Sequence, residues 1–181
     1  MSAVDLVSVR PATADDVAQI YAFVVELAVY EREPDAVTGT PEMLAEALFG
    51  TAPSAEALVA ELNGEPAGFA LFHGTFSTWE CLPGIWLEDL YVPGRCRRAG
   101  VGRALLARLA GLALERGCPR LEWHALDWNE QALGFYQRMG AERHSAWDLH
   151  RLAGEALQRV ATGAREPALR HGASPSQATA S

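Results

Sequence analysis

Lysine is absent from this 181-residue chain, and every one of its 15 basic residues is an arginine. That excludes a Walker phosphate loop, G-x-x-x-x-G-K-[ST], which depends on its lysine. Cysteine is scarce: Cys81, Cys96 and Cys118 form no spaced metal pattern, and three thiols leave at least one unpaired. A disulfide scaffold is thereby excluded, and a reducing cytoplasm is expected. No hydrophobic run approaches a membrane span, and the opening M-S-A-V-D-L-V has neither the basic region nor the apolar stretch of a cleavable signal. His73, His124, His144, His150 and His171 share no ligand spacing, so no metal is expected.

What is present suits a single domain with a real core, since 49% of residues are hydrophobic and 21% charged. The net charge of −8 is unevenly spread. Residues 1–92 hold 15 acids against Arg10 and Arg32, a balance of −13, whereas residues 93–181 hold 13 arginines against 8 acids, a balance of +5. One half is suited to attract cations and the other anions, or both are merely solvated faces with arginine used in place of lysine. The acidic total argues against nucleic acid as a partner.

Periodicity gives an α/β order. Val7 to Arg10 alternates as a strand, and Thr13 with Asp16 opens a helix over 14–30 carrying Val17, Ile20, Val24 and Leu27 inward. Thr40-Pro41 starts a second helix over 42–49. Leu58–Leu62 and Ala67–Phe76 form a hairpin about the N-G-E-P turn, residues 77–84 form a loop, and Ile85–Val92 is the next strand. A third helix runs from Val101 to Gly117, Leu121–Ala125 is a strand, and Asn129 caps a fourth helix ending at Gly140. One or two strands are expected over 141–149, and 151–160 is helical or extended. Residues 161–181, rich in Ala, Ser, Gly and Pro, are expected to be a disordered tail after a domain spanning 1–160.

The stretch from Leu87 to Arg103 carries the chemistry. A strand, L-E-D-L-Y-V, steps through P-G-R into C-R-R-A-G-V-G-R and a helix N-terminus. Gly100 and Gly102 let backbone N–H groups close on a ligand, the unpaired N–H groups of the first turn favour an anion, and Arg97, Arg98 and Arg103 add charge. A dinucleotide fingerprint fails because it would need glycine where Leu105 stands. A pyrophosphate held by backbone amides remains, with a plain structural turn as the alternative.

R-R-A-G-V-G at 97–102 resembles the Arg/Gln-x-x-Gly-x-Gly/Ala acetyl-CoA loop of the GNAT acyltransferases, and N-E-Q-A-L-G-F-Y-Q-R-M-G-A at 129–141 resembles their second signature. R-P-A-T-A-D-D at 10–16, E-L-A-V-Y-E at 26–31, Phe76 with Trp79, L-E-D at 87–89 and W-N-E at 128–130 are similar to the diamine (spermidine/spermine) and thialysine N-acetyltransferase branch. The chain departs from it where polyamine enzymes carry an acid, a position taken here by Ser77 or Thr78, and the loop E-C-L-P-G at 80–84 also differs. The resemblance implies a mixed, mainly antiparallel sheet with flanking helices. It also implies a cytoplasmic homodimer that transfers acetyl from acetyl-CoA to a primary amine of a small cation, with neither membrane nor nucleic acid as partner.

Acetyl transfer to an amine needs a proton acceptor, donors for the oxyanion and an acid for the leaving thiolate. A lysine-like amine is neutral only about once in 10³ molecules at pH 7, so a base or a desolvating site is required. The resemblance assigns the base to Glu88, acting through water. Neighbours in a regular strand point to opposite faces, so only one of Glu88 and Asp89 meets the amine unless the strand is bulged. Asp89 binds the cation or carries a structural hydrogen bond. Tyr136 is the candidate acid, with core filling as the alternative. Leu90, Tyr91 and Val92 are expected to supply peptide groups to the pantetheine arm, and Arg97, Arg98, Ala99, Gly100, Val101, Gly102, Arg103, Asn129 and Tyr136 complete the acetyl-CoA site. Glu26, Tyr30, Glu31, Trp79, Glu88 and Asp89 could gather into an acidic pocket with aromatic walls, or could be a solvated helix end plus one core Trp. A protein N-terminus or an aminoglycoside as acceptor, and a non-catalytic acyl-CoA sensor, are the other functions compatible with the chain.

Overall fold

Five strands share one sheet in the order β1-β2-β3-β4-β5, comprising β1 (Val7–Pro11), β2 (Glu56–Leu62), β3 (Glu65–Ser77), β4 (Leu82–Tyr91) and β5 (Leu121–Trp123). The first four are antiparallel, and β5 runs parallel to β4 because a helix carries the chain back between them. The computed structural model describes residues 6–144, 146 and 148–163, in two compact units, Met1–Gly140 and Ala141–Ser181. The mixed α/β architecture expected from the sequence is present.

Alternation along the strands sends apolar residues into two layers. On one face Leu58, Ala60, Ala70, Phe72, Ile85 and Leu87 pack with Val101, Leu105 and Leu109 of α3 (Val101–Glu115). On the other, Val59, Phe69 and Tyr91 pack with Ile20 and Phe23 of α1 (Val17–Tyr30) and Leu48 of α2 (Pro41–Phe49). Pro41 fills the first position of α2, and Thr40 Oγ1 accepts the N–H of Met43 at 3.3 Å. Before α1, Asp16 accepts the N–H and the hydroxyl of Thr13 at 2.7 and 2.9 Å. Asp16 also takes a fork from Arg10 at 2.7 and 2.8 Å, and Arg10 Nε reaches Glu61 at 2.9 Å. That cross-link ties β1, β2 and the start of α1 together.

Two expectations change. The loop expected over 77–84 shrinks to four residues, because Leu82, Pro83 and Gly84 pair with Ser77, Phe76 and Thr75. No strand forms among the described residues of 141–149, and none pairs with the outer edge of β5. A-E-R-H-S-A-W-D-L has no β-branched residue, so little favours extended pairing there. Downstream, Gly154–Thr162 is helical (α5). Residues 164–181, most of the expected tail, lie outside the described residues. No helix among the described residues is long and apolar enough to cross a membrane.

Candidate active site

One irregularity in β4 builds the site. Asp89 pairs with Leu71 and Leu87 with the next residue of β3, Phe72, so Glu88 is an extra residue, a β-bulge. Leu87 therefore faces the α3 layer, while Asp89, opposite Leu71, and Tyr91, opposite Phe69, face the α1 layer. Glu88 accepts the indole N–H of Trp86 at 3.0 Å and lies 3.8 Å from His73 Nε2, on that same α1 side. The bulge thus places both carboxylates on one face, where a regular strand would divide them.

Their surroundings differ. Asp89 is half-buried, and burial, followed by the charges of Glu88 and Glu31, pushes its carboxyl up to about 6. Glu31, at the end of α1, is itself raised by burial. Glu88 is exposed.

The sheet opens beside this pair. β5 matches β4 only at Ile85, Trp86 and Leu87, so β4 from Glu88 to Tyr91 has β3 on one side and no strand on the other among the described residues. The chain after β5 leads into α4 (Glu130–Arg138), where Asn129 Oδ1 accepts the N–H of Ala132 at 3.2 Å. Tyr136 packs its ring against Trp123 and Phe135, with centroids at 4.9 and 5.2 Å. Burial and then Glu31 push its phenol up to about 12, which keeps it protonated at neutral pH. Its hydroxyl makes no hydrogen bond to any described residue.

Beyond Tyr91, the chain makes a 3₁₀ turn, Gly94–Cys96, and enters α3. Gly100 caps that helix with φ 87°, a left-handed conformation that favours glycine. Gly68 is required for another reason: a Cβ there would meet the Tyr91 carbonyl oxygen at 2.6 Å. The first helical bond runs from Ala104 N–H to Gly100, at 3.0 Å, so the N–H groups of Val101, Gly102 and Arg103 have no acceptor in the helix. Arg98 and Arg103 are exposed and make no ion pair among the described residues. Open N–H groups and free guanidiniums at one helix start fit a diphosphate. The side chains of Ala99 and Val101 pack into the α3 core, and Leu90 and Val92 join them. These four residues can offer a ligand only their peptide groups.

Other expected site residues are engaged by the protein. Glu26 accepts the Tyr91 hydroxyl at 3.1 Å and lies 3.8 Å from Arg95. Tyr30 donates to Asn129 Oδ1 at 3.0 Å, and its ring lies 6.1 Å from that of Trp128. Arg97 donates to the Val92 carbonyl at 3.0 Å and to Gln131 Oε1 at 3.1 Å, with its guanidinium 4.7 Å over the Tyr30 ring. Trp79 sits at the tip of the β3–β4 turn, with 86% of its surface exposed. From Leu82 to Glu88 the strand runs about 20 Å at ~3.3 Å per residue, so the fold of one chain does not bring Trp79 to the carboxylates. Trp86 joins the site through Glu88, and Gln131 and Trp128 join it through Arg97 and Tyr30; the motifs at 128–130 and 129–141 contain the last two residues but do not reveal these partners. Among the described residues no group of three His, Cys, Asp or Glu could hold a metal.

Comparison with known proteins gives the family. Residues 18–141 match the Acetyltransferase (GNAT) family. Thialysine N-epsilon-acetyltransferase of Bos taurus is 35% identical over 166 residues, covering 86% of this chain and 97% of the bovine protein. An L-ornithine N5-acetyltransferase of Arabidopsis thaliana is 28% identical, covering 84% of this chain and 86% of its own. Among solved structures, an integron cassette protein of V. cholerae superposes with a TM-score of 0.71 at 25% identity, over 86% of this chain and 97% of that one. The chain therefore belongs to the GNAT acetyltransferase family and is an N-acetyltransferase.

Proposed function

We propose that the protein transfers acetyl from acetyl-CoA to the primary amine of a small cation, a diamine, polyamine or lysine-like amino acid, by direct attack in a ternary complex. The observation that carries this is the placement of Glu88 and Asp89 on one face, near Glu31. An ammonium group is drawn to that concentration of negative charge, and relatives named for thialysine and L-ornithine favour an amino acid with a side-chain amine.

The open N–H groups of Val101, Gly102 and Arg103, with Arg98 and Arg103, receive the diphosphate, and the free edge of β4 receives the pantetheine arm. Asp89, whose carboxyl burial raises, takes the ammonium proton, with the exposed Glu88 beside it as the group that first meets the cation. This shifts the base from the expected Glu88 to its neighbour. The amine nitrogen then bonds to the thioester carbonyl carbon, and a peptide N–H of Tyr91 or Val92 stabilises the oxyanion. The carbon–sulfur bond breaks, and Tyr136 protonates the departing thiolate. The second proton on nitrogen leaves to solvent, which returns one to Tyr136.

A thiol-release assay with acetyl-CoA and a panel of amines tests this. Diamines or diamino acids are expected to turn over faster than peptides or aminoglycosides. A preference for peptides would overturn the acceptor class, and tight coenzyme binding without thiol release from any amine would make the protein a sensor.

A further inference from the structure

We propose that Arg97 is a positioning residue that clamps the coenzyme loop to α1 and α4, and does not itself grip phosphate. Its Nε–H is committed to the Val92 carbonyl, one Nη1–H to Gln131 at the start of α4, and its face to the ring of Tyr30 at the end of α1. A planar guanidinium suits such a junction because its fork and its face engage different partners together. Arg98 and Arg103, exposed and unpaired among the described residues, are the arginines free to meet an anion.

The clamp leads to the reacting atoms. Tyr30 passes from Arg97 to Asn129, and Asn129 Oδ1 accepts both the Tyr30 hydroxyl and the first-turn N–H of Ala132. That junction fixes where α4 begins and hence where Tyr136 stands. Because the Tyr136 hydroxyl has no hydrogen bond of its own to the described residues, its place depends on the helix and on the rings of Trp123 and Phe135. Glu31, whose charge reaches both Asp89 and Tyr136, follows Tyr30 directly. Loosening Arg97 therefore disturbs the acid and the acceptor pocket together. This inference rests on the acetyl transfer proposed above for its kinetic arm alone.

The experiment compares Arg97→Ala, Arg97→Lys, Tyr30→Leu, Arg97→Ala/Tyr30→Leu and Arg98→Ala, reading coenzyme A affinity by calorimetry, kcat and KM by thiol release, and the urea midpoint. Both Arg97 variants are expected to lower kcat about tenfold or more while the coenzyme A Kd moves less than about threefold, since a small misplacement of a catalytic group is costly. Arg98→Ala is expected to weaken coenzyme A binding. Tyr30→Leu is expected to reproduce Arg97→Ala, with the double variant no worse than either in kcat or urea midpoint. Rescue of coenzyme affinity by Arg97→Lys after a tenfold or greater loss in Arg97→Ala would overturn the proposal, as would additive effects at the two positions. The urea cycle needs no turnover. A wild-type protein inert toward every amine would therefore sink the acetyl-transfer proposal, while the non-additivity would still decide the clamp.

Discussion

Tyr30 places its hydroxyl 3.0 Å from Oδ1 of Asn129, joining the last residue of α1 to the cap of α4 across 99 positions of sequence. Tyr30→Phe removes that bond but keeps the ring under Arg97. A loss of about 1 kcal/mol is expected, typical of one net hydrogen bond, and a chemical denaturation series reads it directly. An unchanged midpoint together with an unchanged kcat would show that the joint carries no strain between the helices.

The raised pKa of Asp89 ties activity to pH. Proton acceptance requires the carboxylate, so kcat/KM is expected to rise through an acid limb near pH 6 that Asp89→Asn abolishes along with most of the rate. Glu88→Gln should instead raise the amine KM and leave the limb in place. A limb that survived Asp89→Asn and vanished in Glu88→Gln would return the base to Glu88.

The same shift affects stability with the opposite sign. Between pH 4 and 6 the folded state holds the Asp89 proton more tightly than the unfolded chain does, so this group's contribution is complete below pH 4 and is lost as pH rises through 6. Asp89→Asn is therefore expected to stabilise the protein at pH 7 by on the order of 3 kcal/mol, at about 1.4 kcal/mol per unit. Thermal melts of both proteins at pH 4 and pH 7 check this, the gap between them opening only at the higher pH.

Asp16 behaves in reverse. The Arg10 guanidinium beside it holds its carboxyl far below the usual range, so its stabilisation is present above pH 4 and is lost as pH falls. Arg10 is substantially exposed, and screening limits the value of the pair, so Asp16→Asn is expected to cost about 1 kcal/mol at pH 7. Melts repeated below pH 3 should show the variant and the wild type converging.

Tyr136→Phe removes the proposed acid while keeping the ring between Trp123 and Phe135. A fall in kcat of about 10²-fold, at the low end for general acids, is expected with coenzyme A affinity unchanged. Gly100→Val should do the converse, because a β-branched residue resists φ 87° and the helix start then shifts away from its anion. Calorimetry with coenzyme A separates the two.

Much of this was legible in the chain. The turn residues Asn63 and Gly64, the caps Thr40 and Asn129 and the helix start at Gly100 act locally, so a short window of sequence contains their cause. The β4 bulge is different: register belongs to two strands, and nothing in L-E-D says that Leu71 and Phe72 will bind its outer members and skip the middle one. Nor does spacing tell that Arg97 turns toward Gln131 and Tyr30, since a loop arginine in sequence looks equally fit for phosphate. Pro83 and Gly84 resemble a loop because both weaken strands in isolation, yet the long β3 holds them in register.

Whether Glu88 bulges out of β4 decides which face every later residue of the strand takes. A strand of the same length without the bulge would turn Asp89 and Tyr91 toward the hydrocarbon of α3, whereas excising Glu88 would leave both where they are, because Leu87 opposite Phe72 and Asp89 opposite Leu71 already alternate around it. The extra residue, being bulged, therefore adds a second carboxylate to the α1 face without changing which way the rest of β4 points.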